Sequence, residues 1–324
     1  MKILIGPNTT GLEESIPHIR NEYPEIEVVH CTDQDELETL IADADIYLGW
    51  LDRDIFLSAE ELRWIQSPSS GVDGFLKIPE LAEGDVVLTS AVGTHGEPLA
   101  DSVFAMILAH TRGIKDALAW QQDHDWVRVR ADADTRDRIV ELSGSTLGII
   151  GFGTSGRAVA KRAAAFGLEI LALDLSTENK PGYVSALWSP DHLGELLARS
   201  DYVVVTVPYT RATDGMIGPE EIAQMKTGAM LVGISRGRII DERAAVSALR
   251  DGRLAAVALD VFAQEPLPVD SELWEVDELL ITPHIAGMTQ FEGKRVLDIF
   301  YENLDRFLRG EIPLRNQVDK ARGF

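Results

Sequence analysis

Three segments of the chain carry residue types suited to reducing a carbonyl group. Each follows an apolar run: Gly233-Ile234-Ser235-Arg236-Gly237, then Leu259-Asp260-Val261-Phe262-Ala263-Gln264-Glu265-Pro266, then Thr282-Pro283-His284-Ile285-Ala286-Gly287. An arginine is charged at every working pH, and its fork can grip a carboxylate and polarise a keto oxygen. A histidine can hand over a proton near neutrality, and a glutamate beside it favours the imidazolium. Arg236, Glu265 and His284 are therefore the candidate catalytic residues. Taken singly, each has an ordinary reading: a surface ion pair, a solvated loop acid, a structural histidine.

An upstream segment raises their joint reading. Leu147-Gly148-Ile149-Ile150-Gly151-Phe152-Gly153-Thr154-Ser155-Gly156 reads as a strand entering Gly-x-Gly-x-x-Gly and then a helix. Gly151 permits the tight turn, Gly153 lets a pyrophosphate approach the backbone, and Gly156 lets helix and strand pack closely. The helix start, with Thr154 and Ser155, offers N–H groups and a positive dipole end to phosphates. Asp174 ends the next apolar run, eighteen residues after Gly156. A carboxylate there accepts from ribose hydroxyls and repels a 2′-phosphate, which favours NAD and leaves NADP as the second choice. Ser176, Thr177 and Lys180 lie close enough to soften that preference.

These segments need a scaffold that brings strand ends together. Residues 2–6, 26–30, 45–48, 63–66 and 86–89 read as strands, with helical patterns at 11–22 and 33–42 between the first three. Residues 98–121 read as one long helix with Pro98 at its start, a connector between domains. Residues 121–137 read as a polar loop or flap. A second series of strands follows at 146–150, 169–173, 202–207, 229–234, 256–259 and 279–282, mostly continuous apolar runs as expected for strands buried on both faces. Helices are expected at 156–166, 241–251 and, at the end, 289–310. The fold class is α/β with two doubly wound parallel sheets. The expected division is a discontinuous substrate domain, 1–97 and 290–324, around a dinucleotide-binding domain, 98–289.

Thirty basic residues face fifty-three acidic ones in 324, a formal net charge of −23. Such a field repels nucleic acid and anionic membranes, so neither is an expected partner. The acids keep the chain soluble; the sharper reading is adaptation to high salt, where screening removes self-repulsion. No metal-ligand spacing occurs. The single cysteine, Cys31, suits a reducing compartment, the first apolar run is too short for a signal sequence, and no run approaches the ~20 residues of a membrane helix. A cytoplasmic location is expected.

Together, residues 151–156, Ser235-Arg236-Gly237, Asp260-Val261-Phe262 with Glu265-Pro266, and Pro283-His284-Ile285-Ala286-Gly287 resemble the D-isomer-specific 2-hydroxyacid dehydrogenase family over nearly the whole chain. The resemblance implies a Rossmann domain, a flavodoxin-like substrate domain and NAD(P)-dependent interconversion of a D-2-hydroxy acid and its 2-keto acid. It places the catalytic trio on Arg236, Glu265 and His284. Asp260 would orient the nicotinamide carboxamide, with Ile234, Pro208 and Thr213 on the cofactor side. The amides of Ser70-Gly71-Val72, with Arg236, would hold the substrate carboxylate. Two domains closing about the long helices would exclude water, and a homodimer would form around the nucleotide domains. Formate dehydrogenases of similar fold pair the histidine with glutamine, so Glu265 argues for hydroxy-acid chemistry. Relatives often carry asparagine where this chain has Gly233, outside the trio. His95 reads as structural before catalytic; Trp50, Trp126 and Met288 read either as pocket walls or as packing residues. The competing reading is a nucleotide-sensing interaction protein, like the corepressors among the relatives, with little turnover.

Overall fold

Strand β1, Lys2–Ile5, is buried at every position. Ile3 and Ile5 point into one apolar cluster and Leu4 into another, so both faces of this strand are covered. Four further strands lie parallel beside it: β2 (Glu27–His30), β3 (Ile46–Leu48), β4 (Trp64–Gln66) and β5 (Val87–Thr89). Their order, β2-β1-β3-β4-β5, is the flavodoxin-like one. One face packs on Leu37 and Ile41 of the helix Gln34–Ile41. The other packs on Val296, Phe300 and Leu304 of the helix Glu292–Leu308, where Phe300 stacks on Trp64 at 5.2 Å. The last helix thus covers the first sheet, and the chain divides into two units, Met1–His95 with Thr289–Phe324 and Gly96–Met288. The computed structural model describes residues 1–126 and 139–324.

The second unit holds a seven-stranded sheet: β6 (Thr146–Ile150), β7 (Glu169–Leu173), β8 (Ala186–Trp188), β9 (Tyr202–Val205), β10 (Ala229–Gly233), β11 (Leu254–Leu259) and β12 (Leu279–Ile281). All neighbours are parallel, in the order β12-β11-β10-β9-β6-β7-β8. Leu147 and Ile149 face a core shared with the helices Gly96–Thr111 and Thr154–Ala165; Ile150 faces a second core with Leu196 and Leu197. Gly148 occupies mid-strand because a methyl group there would lie 2.3 Å from Ser200 Oγ and 2.5 Å from Leu196 Cδ2. Two parallel sheets with helices on both faces are the α/β class expected from sequence.

Several element boundaries differ from expectation. The long helix is two, Gly96–Thr111 and Ile114–Gln122, broken at Gly113, whose φ of 63° is left-handed. The first begins at Gly96, two residues before Pro98. Strand β8 is additional to the expected set, a three-residue edge. Of the expected flap, residues 127–137 lie outside the described residues. Cys31 is buried, and burial pushes its thiol up, which keeps it protonated and unreactive. Among the described residues no helix is long and apolar enough to cross a membrane.

Candidate active site

Strands β10, β11 and β12 are neighbours, so the segments leaving their C-terminal ends emerge side by side. Arg236 follows β10, Asp260 and Glu265 follow β11, and His284 follows β12. His284 Nδ1 lies 2.6 Å from Glu265 Oε2. Glu265 is aimed by its own loop, since its Oε1 accepts the Phe262 N–H at 2.8 Å. With Nδ1 engaged, Nε2 is the ring nitrogen left to exchange a proton with a substrate. The histidine backbone is left-handed, φ 55°, and its N–H donates to the Asp260 carbonyl at 2.9 Å.

Asp260 is buried, and its carboxylate accepts from Thr282 Oγ1 at 2.6 Å, Ile285 N at 2.9 Å and Ala286 N at 2.9 Å. These bonds pin the segment that carries His284. Arg236 is half-buried, and its Nη1 donates to the Ser235 carbonyl at 2.8 Å. The next residue, Gly237, lies against the Glu265 loop: a methyl group on it would sit 1.9 Å from the Phe262 carbonyl oxygen.

The glycine-rich turn leaves β6, where the strand order reverses between β6 and β9, the crevice in which open α/β sheets bind ligands. Gly151 has φ 97° and packs on the Val207 backbone; a methyl group on Gly156 would lie 2.1 Å from the Gly151 carbonyl oxygen. A methyl group on Gly153 would meet nothing within 4 Å, and Gly153 and Thr154 are exposed at the start of the Thr154–Ala165 helix. Open space over a helix N-terminus is what a pyrophosphate needs, so these residues fit a dinucleotide. Thr206 Oγ1 donates to the Gly151 carbonyl at 2.6 Å and braces the turn. Thr213 Oγ1 donates to the Pro208 carbonyl at 2.7 Å, closing the neighbouring loop, and the Ile234 side chain is buried in the core, leaving its backbone for a cofactor.

Asp174 accepts the Phe152 N–H at 2.6 Å and the Ser176 N–H at 3.1 Å. A carboxylate has about four acceptor positions, so capacity remains for ribose hydroxyls. Lys180 is turned to the Val184 carbonyl at 2.6 Å. Asp174→Ala should lower the ratio of kcat/KM for NADH over NADPH by about tenfold or more, the size of one lost charge-assisted hydrogen bond. Steady-state kinetics with both cofactors measures it; an unchanged ratio removes Asp174 from cofactor choice.

In the other unit, among the described residues, the amides of Ser70 and Val72 donate to no group, while Gly71 N reaches Ser69 Oγ at 3.3 Å. Ser70 Oγ lies 2.9 Å from His95 Nδ1, Thr94 Oγ1 lies 2.7 Å from the same atom, and His95 Nε2 lies 3.5 Å from Glu292 Oε1. Both ring nitrogens of His95 are thus held by its own unit. Trp50 stacks on Phe75 at 4.9 Å with one face exposed, and Trp126 and Met288 are exposed too, so none of the three is a core residue. Sequence reading placed Thr206 in the nucleotide-side loop and Thr282 in the His284 segment but gave neither hydroxyl a bracing role. Their only signal was position at a strand end.

The family whose sequence pattern matches residues 104–286 is described as D-isomer specific 2-hydroxyacid dehydrogenase, NAD binding domain. A D-3-phosphoglycerate dehydrogenase of Methanocaldococcus jannaschii is 34% identical over 96% of this chain, which spans 58% of that relative's length. A glyoxylate reductase of Korarchaeum cryptofilum is 34% identical over 90% of this chain and 85% of its own. The chain belongs to the D-isomer-specific 2-hydroxyacid dehydrogenase family. It is an NAD(P)-dependent oxidoreductase of that class. The D-2-hydroxyacid dehydrogenase fold extends over both units: a family structure from Xanthobacter autotrophicus, in complex with NADPH and MES, superposes with a TM-score of 0.83 at 28% identity over 99% of each chain.

Proposed function

We propose that this dehydrogenase works as a reductase of small 2-keto acids of the glyoxylate and hydroxypyruvate kind, forming the D-2-hydroxy acid and preferring NADH. The observation that carries it is the 2.6 Å pairing of His284 Nδ1 with the Glu265 carboxylate. That pairing holds a proton donor at the end of β12, with β11 between it and β10, the strand that Arg236 follows. The nicotinamide, when bound, supplies the two electrons and hydrogen that the carbonyl carbon receives. The Arg236 guanidinium is the donor suited to a substrate carboxylate in its own unit, and the amides of Ser70, Gly71 and Val72 are donors suited to the same group in theirs. His284 gives its Nε2 proton to the carbonyl oxygen as negative charge develops there. Glu265 balances the imidazolium charge before the transfer and holds the neutral ring in place until solvent returns the proton. Gly151, Gly153, Thr154, Ser155 and Gly156 take the pyrophosphate, and Asp174 the adenosine ribose. Asp260 keeps the loop beside the nicotinamide in place.

The test is NADH and NADPH oxidation against glyoxylate, hydroxypyruvate, pyruvate and branched and aromatic 2-keto acids, at low and molar KCl, with chiral analysis of the product. A D-product from the small acids supports the reading. An L-product, or silence across the panel while NADH still binds, ends it.

The acidic charge and the single cysteine support a cytoplasmic protein that binds no nucleic acid. A homodimer is supported by the helix Ile114–Gln122, in which no residue is buried and Ile114 and Leu118, one turn apart, are 49% and 56% exposed. Leu118→Asp should convert the dimer to monomer, read by light scattering. A wild-type monomer would overturn the dimer.

A further inference from the structure

The loops that carry Arg236 and Glu265 leave neighbouring strands, and catalysis depends on their separation. Among the described residues, two contacts bear on that separation. The first is the close approach of Gly237 to the Phe262 carbonyl. The second is made by Glu242, the first residue of the helix Glu242–Arg250 that follows the Arg236 loop. Its Oε1 accepts the Ala263 N–H at 2.5 Å. Ala263 follows Phe262, whose own N–H is held by Glu265 Oε1 at 2.8 Å, and Glu265 Oε2 reaches His284. The helix is already capped without Glu242, since Asp241 Oδ1 accepts the Ala244 N–H at 3.0 Å.

We propose that Glu242 is a positioning residue: by holding the Ala263 amide it fixes where Glu265, and through it His284, stands relative to Arg236. The inference rests on the reductase reading above. It differs from that reading in assigning work to a carboxylate that touches neither substrate nor cofactor.

An acid in the first turn also favours the helix dipole, so charge and reach must be separated. E242D keeps the charge but shortens the side chain by one methylene. E242Q loses the charge but keeps an acceptor oxygen at the original reach. E242D is expected to lower kcat by about tenfold or more, because small displacements of reacting groups are costly, while KM for NADH stays unchanged. E242Q is expected to retain most of the activity. E242A removes the acceptor with a strong helix former and should match E242D, which keeps the test valid should E242D fold poorly. Thermal melts accompany each assay. E242D turning over like an active wild type, or E242Q as poor as E242D, overturns this proposal alone. A wild-type enzyme silent on every keto acid overturns the functional reading and this one with it.

Discussion

Replacing His284 by alanine is expected to slow reduction of the preferred keto acid by about 10²–10⁴-fold, the usual contribution of a positioned proton donor. NADH binding should be unchanged. The separation follows from how the segment is built. Its backbone is held by Asp260, through Thr282 Oγ1, Ile285 N and Ala286 N, and none of these bonds uses the imidazole. The left-handed φ of residue 284 is somewhat less favourable for alanine than for histidine, so the substitution adds only a small backbone strain. The side chain is 46% exposed and its partner Glu265 34%, so losing the ion pair should hardly move the melting temperature. Fluorescence titration of NADH and single-turnover oxidation, measured on the same preparation, read binding and chemistry apart. A variant that still reduces its keto acid at the wild-type rate would mean that another group supplies the proton.

The parts of this site legible in sequence are those set by local chemistry. A turn that must admit a phosphate needs glycines at fixed spacing, and residues 151–156 show them without any knowledge of the fold. Continuous apolar runs revealed six strands of the second sheet, and the chemistry-bearing residues follow three of them. What stayed hidden depends on distant partners. Gly113 breaks a helix whose apolar spacing carries on through Ile114 and Leu118, so periodicity alone reads straight across it. Strand β8 has three residues with only Leu187 fully buried, too few to register a period. Asp260 reads as a residue on the cofactor side, and the three bonds its carboxylate accepts from the segment around His284, 22 to 26 residues away in sequence, are not legible there. Thr213 reads as a cofactor contact, and the bond by which its hydroxyl closes its own loop on Pro208 is not legible in sequence. A hydroxyl or carboxylate states that it can bond; only the folded chain states with what.

Two glycines show how the same small change should separate cofactor binding from chemistry. At Gly156 a methyl group would lie 2.1 Å from the Gly151 carbonyl oxygen, and at Gly237 a methyl group would lie 1.9 Å from the Phe262 carbonyl oxygen. Both obstacles are backbone, so neither can yield by a rotamer change; one segment must move. Each alanine variant should therefore lose about 1–3 kcal/mol of stability, the range for forced overpacking. Their kinetic effects should diverge. Gly156→Ala moves the phosphate turn away from the helix start, so NADH affinity should fall about tenfold or more, the size of one good charge-assisted hydrogen bond lost. Gly237→Ala moves the Arg236 loop off the Glu265 loop while leaving the turn after β6 intact. Its kcat/KM for keto acid should fall by about 10²-fold, the scale of a misplacement near 1 Å, with NADH affinity kept. NADH titration and keto-acid kinetics on both variants decide between the two roles. Should Gly237→Ala weaken NADH binding as much as Gly156→Ala does, the loop after β10 belongs to the cofactor site, and the spacing between Arg236 and Glu265 is set by other contacts.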